Sequence, residues 1–145
     1  MRPTIFGLVT AAALAAALGA DAQTANTITA QIQGLRNNNG QVRCGLFNSA
    51  DTFRQPGKEM QGVAVPIANQ QATCVFTNVP PGTYAIAAFH AENNETQLQT
   101  NFLGIPKEGY GFSRNPSSSM GPPSFNDAAY TYQGGAAAFP ITLKY

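Results

Sequence analysis

The single histidine is the first residue of this sequence that could do chemistry. His90 ends an apolar run and comes immediately before a long irregular segment. An imidazole in that place could act as a general base or as a ligand, with Glu108 or Asp127 orienting the ring. The simpler interpretation is a buried histidine that hydrogen-bonds a loop carbonyl and holds the segment in place. We favour this simpler interpretation, because no serine or cysteine nucleophile lies in a recognisable elbow motif.

The sequence also lacks the motifs of the common catalytic classes. It contains no phosphate-binding loop, no dinucleotide fingerprint and no HExxH pair. The serine run at 117–119 is interpreted as a polar run rather than an activated nucleophile. The sequence therefore predicts no catalytic residue, no cofactor and no metal ligand set, and we expect a protein that is not an enzyme.

Cys44 and Cys74 are the only cysteines of the chain. They are too few for a structural zinc site, which takes four ligands, and too far apart for a CxxC redox motif. In an oxidising compartment a disulfide between them is the preferred interpretation. Such a disulfide closes a loop of about 30 residues, and the lost entropy of the unfolded chain raises the free energy of unfolding by about 3.5 kcal/mol.

The N-terminus has the pattern of a secretory signal. Arg2 precedes an uncharged apolar run at 5–18, and small residues follow at Ala20 and Ala22. This pattern predicts a signal peptide over 1–22, cleaved before Gln23. A run of about 14 residues is shorter than the roughly 20 that span a bilayer. We expect an exported mature chain, 23–145, without a membrane span.

Length and composition limit the remaining possibilities. The chain has 145 residues and a net charge of +1, which favours one domain and argues against nucleic-acid binding through a basic surface. A hydrophobic fraction of 43% is too high for a disordered chain. Oligomeric state cannot be inferred from these quantities.

Apolar and polar residues alternate with a period of two along most of the mature chain, which is typical of half-buried strands. Pro66 cannot donate to a sheet ladder, so its strand is expected at an edge. The strand near Ile86 is apolar on both faces and is expected to be central. Turn signals at roughly ten-residue spacing predict an all-β protein, an antiparallel β-sandwich of about seven strands. The predicted strands are at 28–32, 42–46, 63–67, 74–76, 84–89, 128–132 and 139–145.

Residues 91–127 break this pattern, because glycine and proline recur there and no alternation is sustained. Loops longer than about 15 residues in compact domains are usually functional or disordered. We predict an ordered excursion that packs on the sandwich, since it carries much apolar surface. Tyr110 and Phe112 flank Gly111 and could line a shallow groove suited to sugars or peptides, although a packing role is the simpler alternative. The apolar residues concerned are Phe102, Leu103, Ile105, Tyr110, Phe112 and Phe125.

Several segments of the chain have a distinctive pattern. The most specific is NFLGIPKEGYGFS at 101–113, inside a longer run from His90 to Gly121. The others are GLRN at 34–37, CGLFN at 44–48 and PPGTYA at 80–85. Together these segments resemble the DUF2141 family of small exported bacterial proteins of unknown function. The resemblance implies a transthyretin-like or immunoglobulin-like sandwich in the bacterial periplasm or outside the cell. It implies no established activity.

One departure from the family concerns metal binding. Members commonly carry an acidic loop after the histidine that resembles a calcium site, since calcium takes six to eight oxygen ligands. Here Ala91 replaces the first aspartate of that loop and Gln99 the last, and its glycines are also replaced. Only Glu92 and Glu95 remain as carboxylates, so we predict no metal site and keep a weak calcium-stabilised module as an alternative.

The preferred functional hypothesis is a non-catalytic module whose excursion presents a binding surface to an envelope protein or a glycan, since scaffold-borne loops often carry function. The alternative is a hydrolase that uses His90 with an acidic neighbour. The candidate binding surface consists of His90, Asn101, Lys107, Glu108, Tyr110 and Phe112.

Overall fold

A computed structural model describes residues 25–145 with the exception of 104 and 118–120. The predicted signal segment, 1–22, lies outside the described residues. The described part contains eight strands and one short helix. In chain order they are β1 Thr27–Gln33, β2 Gln41–Phe47, β3 Gln61–Pro66, β4 Ala72–Phe76, β5 Gly82–Ala91, β6 Tyr110–Phe112, α1 Phe125–Ala128, β7 Tyr130–Tyr132 and β8 Ala136–Thr142.

The strands form two sheets, which confirms the predicted β-sandwich. The smaller sheet has the order β4-β1-β8, and the larger has the order β3-β2-β5-β6, with β7 paired to the start of β5. All pairs are antiparallel except β1 and β8, which run parallel. The described strands number eight rather than about seven.

The period-two pattern places one face of each sheet in a common core. Ile28, Ala30 and Ile32 of β1 are buried, and Val42, Cys44 and Leu46 of β2 are buried opposite them in the other sheet. The polar residues between them point outward, as the alternation of a strand requires. Hydrophobic burial between the two sheets therefore holds the sandwich together.

The predicted disulfide between Cys44 and Cys74 is present, with Cα atoms 6.4 Å apart. Cys44 lies in β2 of the larger sheet and Cys74 in β4 of the smaller one. The bond therefore joins the two layers through the core.

The two predictions about strand position are also confirmed. β3 is an edge strand, and its Pro66 lies opposite Gln41 at the end of the ladder. β5 is central, with β2 on one side and β6 on the other. The missing N–H of Pro66 was enough to predict the edge position of β3. The apolar residues on both faces of β5 were enough to predict its central position.

The excursion after β5 is more regular than its sequence suggests, because it contains β6 and α1. Backbone hydrogen bonds in both directions between Tyr110 and Lys144 link β6 to the segment after β8, so they join the two sheets at this edge. The helix starts at a capping box in which the Ser124 hydroxyl accepts from the Asp127 N–H. Only strands and loops were predicted for the mature chain, so this helical turn was missed.

The prediction that the apolar side chains of the excursion pack on the sandwich is wrong for three of them. Phe102 is 95% exposed, Leu103 68% and Ile105 55%. The Asn101 side chain accepts hydrogen bonds from the backbone N–H groups of Leu103 and Ile105, and these bonds tie the exposed residues to Asn101. We call residues 101–103 and 105 the excursion tip. Over the described part of the chain, no helix is long and apolar enough to cross a membrane.

Candidate functional site: a groove across the larger sheet

The outer face of the larger sheet has a row of very small residues that crosses three neighbouring strands. Gly45 of β2 pairs with Gly62 of β3 on one side and with Ala87 of β5 on the other. Next along the row, Ala87 pairs with Phe112 of β6. Because the side chains of one row point to the same face, these residues form the floor of a trough that runs across the strands.

Larger side chains stand on both sides of this floor. One wall is the neighbouring row of the register, in which Phe89 pairs with Arg43 on one side and with Tyr110 on the other. The other wall begins with Phe47, whose ring makes an edge-to-face contact with Phe53, 5.6 Å between centroids. The trough therefore has one mixed aromatic and cationic wall and one apolar wall.

Two loops raise the rim of the trough and turn it into a groove. They are the β2–β3 loop, at 54–57 and 59, and the excursion, at 96–98, 100, 105–106 and 121–122. The resulting groove has a volume of about 510 Å³. Small-molecule sites commonly have volumes of about 300–1,000 Å³, so the groove is large enough for an organic ligand.

The charged residues of the groove are Arg43, Arg54 and Glu59. The Nε atom of Arg43 is buried and makes no hydrogen bond to any of the described residues. A buried guanidinium N–H without an acceptor is unfavourable. Arg43 is therefore a charged residue of the groove lining whose Nε–H lacks an acceptor among the described residues.

Gly45 is required by the shape of the floor. A Cβ at this position would lie 2.9 Å from the Phe47 ring, closer than side chains tolerate. The same atom at Gly62 would meet the end of the flexible Glu59 side chain at 3.0 Å. This floor was not predicted from the sequence. The sequence does show small residues at outward positions of three strands. It does not show the pairing register between those strands, and the floor depends on that register.

His90 lies on the opposite, inner side of β5 and is fully buried. Its Nε2 lies 2.6 Å from the Asn39 carbonyl oxygen and donates to it, because a carbonyl can only accept. Its Nδ1 lies 2.7 Å from the Tyr145 hydroxyl, which accepts in turn from the Arg36 N–H. Both ring nitrogens are thus occupied, as in the simpler interpretation of this histidine.

The two acids considered as partners of His90 have other hydrogen bonds. Glu108 is buried and accepts from the backbone N–H groups of Glu92 and Gln99. Asp127 belongs to the capping box with Ser124, whose N–H donates to its carboxylate. The carboxylate closest to the ring is that of Glu92, 3.9 Å from Nδ1, and it forms an ion pair with Arg36.

Two carboxyl groups of the excursion influence each other. Burial raises the pKa of Glu108, and the Glu95 carboxylate raises it further, against the two N–H groups that donate to it. Burial also raises the pKa of Glu95. Hydrogen bonds from the N–H groups of Glu95 itself and of Asn93 to its carboxylate outweigh this effect, so that the pKa of Glu95 is lowered. Glu108 is therefore the member of this pair that holds a proton more readily.

The six candidate residues do not form one surface. Tyr110 and Phe112 line the groove together, with ring centroids 5.9 Å apart. His90 and Glu108 are buried, and Asn101 shapes the excursion tip. The sixth residue, Lys107, is exposed, and its backbone N–H donates to the Gln99 carbonyl. The pair Tyr110 and Phe112 is thus the part of the predicted surface that belongs to the groove.

Within residues 25–145, leaving out 104 and 118–120, no group of three or more His, Cys, Asp or Glu side chains could hold a metal ion. Glu92 is paired with Arg36, and Glu95 accepts from the Asn93 N–H.

These features define a small two-layer β-sandwich with a disulfide through its core and a groove across one outer face. The chain matches the family model described as an uncharacterized protein conserved in bacteria, DUF2141, over residues 30–139. The match covers most of the chain, and the protein therefore belongs to the DUF2141 family. Comparison with curated proteins finds no match, and comparison with solved structures finds none either.

Proposed function

We propose that this protein is a non-catalytic binding module and that its binding site is the groove across the larger sheet. The observation that carries the proposal is the floor of Gly45, Gly62 and Ala87 between walls of large side chains. Small residues in three adjacent strands leave a space of about 510 Å³ that an apolar ligand can fill. Burial of such a ligand against aromatic walls supplies the binding free energy.

The surroundings of His90 support the non-catalytic part of the proposal. A general base must reach the proton that it removes, directly or through one water. The His90 ring is fully buried, and both of its nitrogens are engaged with Asn39 and Tyr145. The hydrolase alternative therefore lacks an accessible base at this residue.

We further propose that the protein works outside the cytoplasm, in the bacterial periplasm or as a secreted protein. The disulfide between Cys44 and Cys74 supports this location, because such bonds persist in oxidising compartments. The signal-like sequence at the N-terminus is the second support.

The groove can be tested with the neutral dye N-phenyl-1-naphthylamine, whose fluorescence rises in apolar sites. Ala87→Leu fills the floor, and Ala138→Leu makes the same change on the exposed face of β8 in the other sheet. We expect the wild type and Ala138→Leu to bind the dye with equal affinity and Ala87→Leu to lose binding. Equal binding by all three proteins, or none by the wild type, would contradict the proposed site.

A second candidate function is docking of a protein partner on the excursion tip. Phe102 and Leu103 are exposed side by side, and the hydrogen bonds of Asn101 hold them in place. Exposed apolar patches often mark interaction sites.

If the tip docks a partner, the wild type and Ala87→Leu should both capture one envelope protein in stoichiometric amount. The variant with both Phe102→Ser and Leu103→Ser should no longer capture it. A glycan partner stays a prediction from the sequence.

A further inference from the structure

The groove contains a charged donor that the structure leaves without an acceptor. Arg43 points to the outer face between Ala64 of β3 and Phe89 of β5, and it lines the groove. Its Nε is buried and has no partner among the described residues. Because guanidinium groups match carboxylates with parallel N–H bonds, a carboxylate is the acceptor that fits this position best.

The charge balance of the groove also favours one negative group on the ligand. Arg43 and Arg54 contribute two positive charges and Glu59 contributes one negative charge. A single carboxylate would therefore neutralise the excess. A cationic ligand would meet two arginines, and a ligand with several negative charges would meet Glu59.

Most of the remaining lining is apolar, although Gln55, Thr96, Gln97 and Thr100 also contribute, and it favours an apolar, elongated ligand. Ile105, Pro106 and Pro122 at the rim add to Phe89, Tyr110 and Phe112 in the walls. The floor of small residues extends from Gly62 in β3 to Ala87 in β5, which is two strand spacings or about 10 Å, and Phe112 follows in β6. A linear hydrocarbon chain fits a narrow trough of this length better than a branched or globular ligand.

We infer that the groove binds a single-chain aliphatic carboxylate, with the carboxylate on Arg43 and the chain along the floor of Gly45 and Ala87. This inference rests on the proposed function and specifies the class of ligand for the same site. Arg43 then determines the head group, and the small residues of the floor determine the shape of the chain.

Calorimetric titration of the full protein with three ligands of equal chain length tests the inference. The ligands are dodecanoate, dodecan-1-ol and dodecyltrimethylammonium, each below its micelle concentration. We expect dodecanoate to bind about ten-fold or more tightly than the alcohol, and the cationic ligand to bind most weakly. Arg43→Gln should remove the preference for dodecanoate, so that this variant binds dodecanoate and the alcohol with similar affinity.

Lys58→Gln is the matched control. It removes one positive charge from the β2–β3 loop beside the groove, and Lys58 is not part of the groove lining. This variant should retain the wild-type preference for dodecanoate. If Lys58→Gln and Arg43→Gln weaken binding equally, the preference is a general effect of charge and the inference fails. Urea unfolding of each variant confirms that any loss of binding is not a loss of the fold.

Two further outcomes separate the inference from the proposed function. If the alcohol binds as tightly as dodecanoate and Ala87→Leu blocks both, the groove is a binding site but the carboxylate inference is wrong. If an apolar tripeptide with a free C-terminus binds and dodecanoate does not, the occupant is a peptide and the inference is again wrong. The dye experiment with Ala87→Leu tests the proposed function independently of all three ligands.

Discussion

The Tyr145 hydroxyl lies 2.7 Å from Nδ1 of His90 and links the last residue of the chain to the middle of the larger sheet. His90 lies in β5, and its other ring nitrogen donates to Asn39 in the loop before β2. Arg36 adds a cation over the Tyr145 ring, 4.7 Å from the ring centroid. The histidine thus ties the β1–β2 loop and the segment after β8 to β5, which is a structural role.

The hydrogen bond between Tyr145 and His90 predicts that Tyr145→Phe destabilises the protein by about 1–3 kcal/mol, because the substitution leaves the buried Nδ1 of His90 without its partner. Tyr130→Phe is the matched control. The Tyr130 hydroxyl is buried and has no hydrogen-bond partner in the described part of the chain. Its removal should be neutral or stabilise by up to about 1 kcal/mol. Urea unfolding measures both changes, and a larger loss for Tyr130→Phe than for Tyr145→Phe would contradict the assigned roles.

The disulfide predicts a large and specific loss of stability on removal. Replacing both Cys44 and Cys74 by alanine should lower the free energy of unfolding by about 3.5 kcal/mol, because the unfolded chain regains the entropy of an open loop. Reduced wild-type protein should unfold at nearly the same urea concentration as the double variant. A double variant as stable as the oxidised wild type would show that the bond contributes little.

The acidic pair of the excursion predicts a dependence of stability on pH. The pKa of Glu108 is raised above its ordinary value of 4.5, chiefly by burial and in part by Glu95. The folded protein therefore binds this proton more tightly than the unfolded chain does. It follows that the free energy of unfolding falls as pH rises from 4.5 through the raised pKa. The lowered pKa of Glu95 acts below 4.5, where its stabilising effect is lost as pH falls.

Glu95→Gln removes the negative neighbour and should reduce the decline of stability above pH 4.5. Urea unfolding at several pH values between about 4.5 and about 7.5 measures the slope. Asp51→Asn removes one negative charge from an exposed position and serves as the control. A slope in Glu95→Gln equal to that of wild type and Asp51→Asn would show that the two glutamates are not coupled.

The parts of the fold that sequence predicted correctly depend on signals within one strand. Pro66 lacks an N–H and therefore lies at an edge, and the residues around Ile86 are apolar on both faces and therefore lie at the centre. The disulfide followed from the number of cysteines and the expected compartment. Each of these inferences needs no knowledge of which residues lie opposite one another.

The missed features depend on contacts between distant segments. The three residues of β6 are too few to show a period, and they become a strand because β5 offers them a ladder. Tyr145 is 55 residues from His90, so their hydrogen bond has no local signal. The exposed Phe102 was predicted to pack because composition gives the amount of apolar surface but not its direction. The groove floor likewise appears only when the register aligns Gly45, Gly62 and Ala87.

Two glycines of that floor give the last prediction, because they differ in what a methyl group would meet. In Gly45→Ala the new Cβ lies 2.9 Å from the ring of Phe47. That ring is buried against Phe53 and cannot easily move, so we expect a destabilisation of about 1–3 kcal/mol. In Gly62→Ala the closest group is the end of the Glu59 side chain, which can rotate away.

Gly62→Ala should therefore be neutral or stabilise by about 0.5–1 kcal/mol, since alanine loses less conformational entropy than glycine on folding. Both glycines lie inside strands and neither has a positive φ, so the comparison isolates the contact with Phe47. Urea unfolding gives the two free energies. Equal effects of the two substitutions would mean that the Phe47 ring does not pack beside Gly45, and the apolar wall of the groove would then be misplaced.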